Sequence, residues 1–90
     1  MVQYLFFYIQ ARVSVTYENC AKHSLVERGK DWSWGTQDHH NGNPGNGTIT
    51  HCGSKWAKVK WEGGIETYYR IDDENNLGLY YVDGNYKLLK

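Results

Sequence analysis

Trp56-Ala57-Lys58-Val59-Lys60-Trp61 sets Lys58 and Lys60 against Ala57, Val59 and Trp61, the alternation of a strand with one face on a core and the other in water. Trp56 and Trp61 stand an odd number of residues apart, so a regular strand points them to opposite sides. Trp61 shares the side of Val59 and is the core candidate, which leaves Trp56 as the more exposed ring. Glu62-Gly63-Gly64 follows as a hairpin signal, and Ile65-Glu66-Thr67-Tyr68-Tyr69-Arg70-Ile71 carries the β-branched and aromatic residues of a returning strand.

Moving outward from this hairpin, Gly47-Thr48-Ile49-Thr50 reads as a short strand. The segment before it, Gln37 to Gly47, has almost no apolar side chain and several residues that tolerate positive φ, so a surface loop is predicted. Downstream, Asp72 to Asn76 is a polar turn. Leu79-Tyr80-Tyr81-Val82 and, past Asp83-Gly84-Asn85, Tyr86-Lys87-Leu88-Leu89 offer one or two closing strands. No segment carries an amphipathic helical stripe of useful length. Short strands at regular spacing favour an all-β domain, a small closed barrel or a sandwich, and closure would hide the strand edges. Toward the N-terminus, Arg12 to Tyr17 alternates like a half-buried strand, added to the sheet or appended to it. The domain is expected to begin at Leu25 and run to residue 90, leaving residues 1–24 as a segment of open role.

Ninety residues with 40% hydrophobic content suffice for one compact domain with a modest core. Eight Tyr and four Trp against two Phe mean that most rings carry a polar handle suited to partly exposed positions, which favours a binding surface. Ten basic and ten acidic residues cancel. With no polybasic run to track phosphates, nucleic acid is a poor partner. The apolar stretch Tyr4 to Ile9 lacks a basic flank and is far too short to span a bilayer, so neither a cleaved signal nor membrane insertion is expected. Cys20 and Cys52 are too few for a disulfide-stapled secreted scaffold, although one bridge is feasible if they lie close. A reduced, cytoplasmic setting and a monomeric domain are the expectations.

Cys20, His23, His39, His40, His51 and Cys52 are competent zinc ligands, and Cys20-x-x-His23 has ligand-like spacing. The others scatter over loops where a structural site wants a repeated short-spaced pattern, so no metal is expected. Cys52 beside His51 makes no nucleophile pair, because neighbours on a strand point apart and no orienting third group is evident. The glycines from Gly42 to Gly47 lead into a strand, where a phosphate cradle would need a helix. Neither catalytic residues nor a cofactor are expected.

Val26-Glu27-Arg28-Gly29-Lys30-Asp31-Trp32-Ser33-Trp34-Gly35-Thr36-Gln37-Asp38 resembles the opening signature of the MIB/HERC domain family, V-x-R-G-x-D-W-x-W-G-x-Q-D followed by a glycine-rich loop. The later family elements, a G-T-V strand, a W-x-x-V-x-W strand, a glycine turn and a strand ending in Y-R, resemble Gly47-Thr48-Ile49, Trp56 to Trp61, Gly63-Gly64 and Tyr69-Arg70 in order and spacing. Lys30 stands where many members have Pro, and His39-His40-Asn41 replaces a glycine pair. The closing G-x-Y-D-L element finds two partial matches, starting at Gly78 and at Gly84, neither with the Asp. The resemblance covers about Leu25 onward and implies a small SH3-like β-barrel of about five short antiparallel strands. It also implies a non-catalytic protein- or peptide-binding module, the substrate-recognition part of an E3 ubiquitin ligase. In Mind bomb ligases such domains help capture cytoplasmic tails of Notch ligands, while ubiquitin transfer belongs to RING or HECT domains. The rival reading is a structural domain that packs on its neighbours in a longer protein and has no peptide ligand.

On this reading the candidate peptide-binding residues are Asp31, Trp32, Trp34, Gln37, Asp38, Tyr69 and Arg70. Trp32 and Trp34 point the same way in an extended segment and could clamp a peptide between indole faces, or plug the core. Asp31, Gln37 and Asp38 could meet a peptide backbone, and turn capping accounts for both carboxylates equally well. Tyr69-Arg70 ends a strand, where the guanidinium could meet a partner carboxylate, stack on an indole, or pair with Asp31 or Asp38.

Overall fold

The computed structural model describes residues 12–82. Strand β1 is Leu25–Arg28, β2 His39–His40, β3 Asn43–Pro44, β4 Gly47–Cys52, β5 Trp56–Trp61, β6 Glu66–Arg70 and β7 Leu79–Tyr81. The alternation of β5 is realised as expected. Ala57, Val59 and Trp61 are buried while Trp56 and Lys60 are exposed. β5 is the strand around which the sheet is built, pairing with β4 from Gly47↔Trp61 to Cys52↔Ala57 and with β6 from Trp56↔Arg70 to Lys60↔Glu66. A bulge between Ile49 and His51 interrupts the β4 register. Gly64, at a φ of 108°, closes the β5–β6 turn and donates its N–H to the Trp61 carbonyl, a conformation open to glycine.

The surface loop from Gln37 to Gly47 is more regular than its composition suggests. β2 and β3 pair as a small antiparallel ribbon around Asn41 and Gly42, both at positive φ. Asn-Gly is the preferred pair for a two-residue hairpin turn, and that was the available signal. The Tyr86 to Leu89 strand expectation lies outside the described residues.

The expected closed barrel is not what forms. The sheet is open and antiparallel, in the order β6-β5-β4-β1-β7, and β6 does not pair with β7. The physical reason lies in residues 13–15. Val15 donates its N–H to the Leu79 carbonyl, Tyr81 donates to the Val13 carbonyl, and Ser14 bridges to Tyr80. With β1 on its other side, the three-residue β7 has its ladder taken on both sides, and none is left to receive β6.

The described part of the N-terminal segment whose role the sequence left open, residues 12–24, is thus bound to the sheet. Cys20 and Cys52 form a disulfide with a Cα–Cα distance of 6.0 Å, joining it to the end of β4. His23 donates to the Ile49 carbonyl and Ile49 to the Ser24 carbonyl. The Tyr81 hydroxyl donates to the Asn19 carbonyl at 2.6 Å and accepts from the Ala21 N–H at 3.0 Å. Val15, Val26, Ile49, Val59, Trp61 and Leu79 are among the buried residues of one core. Gly47 is required there, because a Cβ would stand 2.5 Å from Val59 and 2.8 Å from the Trp61 ring.

Candidate functional site

The Asp31–Asp38 loop lies against the inner face of the sheet as an aromatic cluster. Trp32 meets Trp34 at 5.0 Å between ring centroids, Trp61 at 5.5 Å and Tyr69 at 5.5 Å. Trp34 also meets Tyr69, edge to face, at 5.0 Å. Edge-on contacts of this kind align the positive ring edge with a negative face and add to the burial of the rings themselves. Both loop indoles are half-buried, so the two readings of the sequence combine: one side of each packs on the core and the other meets solvent.

The loop that carries them is held at both ends. Trp32 Nε1 donates to the Gly35 carbonyl at 2.8 Å, and Gly35 sits at a φ of 58°. Trp34 lies over Gly78, where a Cβ would come within 2.6 Å of the indole. The Asp31 carboxylate accepts from the Leu77 N–H at 2.7 Å. That bond, helped by Lys30, pulls the Asp31 pKa below its ordinary value. Gln37 accepts at Oε1 from the Tyr69 hydroxyl, which itself accepts from Trp61 Nε1, each at 2.8 Å. Burial pushes the Tyr69 phenol up in pKa despite the Trp61 donor. Asp38 is fully buried and takes a two-pronged bond from Arg28, Nε to Oδ2 at 2.7 Å and Nη2 to Oδ1 at 2.8 Å. The Asp38 bond raises the Arg28 pKa further. The same guanidinium lies 5.3 Å over the Trp32 ring.

Six of the seven candidates therefore come together: Asp31, Trp32, Trp34, Gln37, Asp38 and Tyr69. Arg70 does not join them. It follows Tyr69 on the strand and so leaves by the opposite face. There it makes a two-pronged pair with Asp72 at 3.0 and 3.1 Å and lies 6.0 Å over Trp56. Of the internal partners expected for it, the indole stack is met by Trp56, whereas Asp38 belongs to Arg28 and Asp31 takes Lys30 and the Leu77 N–H. Arg28 was missed as a candidate although it is the fixed arginine of the V-x-R-G signature, because its role shows only in its partner, ten residues on.

On the outer face, His51, Cys52, Gly53, Trp56 and Tyr68 line an open groove of about 560 Å³. Trp56 and Tyr68 are 46% and 55% exposed, and Lys58 lies 5.4 Å over the Tyr68 ring. The odd spacing of the β5 tryptophans had already pointed Trp56 to this side.

Among the described residues no group of three His, Cys, Asp or Glu side chains is placed to hold a metal ion, and Cys20 of the Cys20-x-x-His23 pair is committed to the disulfide. No helix of the described residues is long and apolar enough to cross a membrane. Residues 23–83 match the Mib_herc2 family model, a span that includes the whole aromatic loop and the seven strands of the described residues. The chain belongs to the MIB/HERC family and is a non-catalytic, all-β protein-binding module.

Proposed function

We propose that this module recognises a segment of a protein substrate on behalf of a ubiquitin-ligase assembly, and that the solvent side of Trp32 and Trp34 is the surface that receives it. The observation carrying this reading is that two half-exposed indoles are immobilised from beneath by Tyr69, Trp61 and Gly78. Tryptophan dominates binding energetics where it occurs in interfaces, and a surface ordered before contact loses little entropy on binding. Asp31, Gln37, Asp38 and Tyr69 act as positioning residues that hold the loop. An extended segment lying across the indoles, such as a cytoplasmic tail of a membrane ligand, is the partner chemistry that fits. The cytoplasm is the setting in which such a tail is met.

Titration of the isotopically labelled chain with cytoplasmic-tail peptides of Notch-type ligands tests this. The indole N–H signals of Trp32 and Trp34 are expected to shift. Trp34→Ala is expected to weaken binding by about 2 kcal/mol or more. Folded Trp32→Ala and Trp34→Ala variants with unchanged affinity overturn the reading. Shifts confined to His51, Trp56 and Tyr68 move the contact to the outer groove. A folded chain that shifts with no peptide leaves the packing role between neighbouring domains.

A further inference from the structure

We infer that two copies of this chain pair antiparallel through β6, about a two-fold axis centred on Tyr68. Because the sheet is open, it has two edges. Among the described residues, that of β7 is covered by Val13 to Val15, whereas β6 has no strand on its outer side. The bonds from the Trp61 N–H to the Ile65 carbonyl and from the Ile71 N–H to the Lys55 carbonyl set the phase of the β5–β6 ladder. Backbone groups of Thr67 and Tyr69 therefore face β5, and those of Glu66, Tyr68 and Arg70 face away from it. An uncovered row of N–H and C=O groups is a template for another strand, and native edges are usually blunted by proline, a bulge or a lysine. β6 has neither proline nor bulge, and the charged side chains it does carry, Glu66 and Arg70, are of opposite sign.

What selects a second copy over a foreign strand is the charge order of Glu66-Thr67-Tyr68-Tyr69-Arg70. About a two-fold at Tyr68, Glu66 of each copy faces Arg70 of the other and the two Tyr68 rings face each other. All three side chains are exposed on the outer face. Each facing pair directs its free backbone groups at the other and exchanges both N–H···O bonds. Moving the axis to Glu66 or Arg70 would set like charges opposite one another, which disfavours those registers. Lys60 lies beside Glu66 on β5 and Trp56 beside Arg70, so each charged pair is flanked by a cation on one side and an indole on the other. Arg70 already holds Asp72, and its five N–H donors leave capacity for the second carboxylate. A two-fold contact of this kind is self-limiting, because each copy offers one such edge among its described residues. Five residues a side make a small interface and a weak dimer, in contrast to the monomer expected from the sequence.

Sedimentation equilibrium of the 90-residue chain over a wide concentration range tests the proposal, with folding of each variant checked by NMR. A reversible monomer–dimer equilibrium is expected. Glu66→Arg and Arg70→Glu each oppose like charges twice across the axis, and each is expected to raise the dimer dissociation constant about tenfold. An equimolar mixture of the two variants restores opposite charges at both positions and is expected to form a heterodimer. Tyr68→Pro, which removes an outward N–H and leaves the β5 ladder its donors, is expected to abolish association. In the unaltered chain, amide exchange at Tyr68 should slow as concentration rises. A chain that stays monomeric at its highest soluble concentration overturns the proposal and frees the edge for a foreign strand. So does a dimer indifferent to both charge reversals and to Tyr68→Pro.

Discussion

Asp38 buries its whole carboxylate and receives both prongs of the Arg28 guanidinium, whose own side chain remains 36% exposed. A strand residue and the last residue of the aromatic loop are thereby joined by the loop's strongest polar contact, because a two-pronged charged pair is both stronger and more directional than a neutral hydrogen bond. Removing the carboxylate forfeits both of these bonds, and a hydrogen bond to a charged group contributes more than a neutral one.

Asp38→Ala is accordingly expected to destabilise the chain by about 2–3 kcal/mol, measured as a lower urea midpoint at unchanged slope. Arg28→Lys should recover little of this pair, because an ammonium offers a point charge in place of the planar fork. An unchanged midpoint for Asp38→Ala would remove the pair from the account of what holds the loop.

Tyr69 links Trp61 to Gln37 through one buried hydroxyl. Tyr69→Phe keeps the ring and strands both partners, with an expected loss of about 1–3 kcal/mol. Its phenol pKa is raised in the folded state by burial. The stability this group contributes is thus complete below the unfolded tyrosine pKa of about 10 and is lost as pH rises from there through the folded value. Thermal unfolding followed from about pH 8 to about pH 11 should show the melting temperature falling at the alkaline end, and less steeply in Tyr69→Phe. Equal slopes in the two proteins would mean that Tyr69 ionises as freely folded as unfolded.

The Cys20–Cys52 bond closes a separation of 32 residues, for which restriction of the unfolded chain is worth about 3–4 kcal/mol. Cys52→Ser, or reduction of the natural chain, should lower stability by that order. Amide exchange should accelerate first at Val15 and Tyr81, whose N–H groups hold the N-terminal segment to β7. In a cytoplasmic setting the thiol pool acts on this bond, so the reduced chain is the state to compare in binding. Uniform exchange in both states would show that the segment holds its place without the disulfide.

The sequence by itself determined what depends on near neighbours. The alternation from Trp56 to Trp61 set the strand, put Trp61 inside and left Trp56 outside. The glycine pair after it set the hairpin, and the Val26 to Asp38 signature carried the family and five of the seven candidate residues. These follow from side-chain period and turn chemistry, which act over a few residues. Only the tertiary structure decided which carboxylate Arg28 takes, that Arg70 leaves by the other face toward Trp56, and that residues 13–15 cover β7. The open sheet is the largest of these decisions. Closure of a barrel depends on which segment occupies an edge, and the β7 edge is held by one some 65 residues away in the chain, as the Val15 to Leu79 and Val13 to Tyr81 bonds show. Hydrogen bonds between such distant segments leave no periodic mark in the sequence, because any extended backbone can make them.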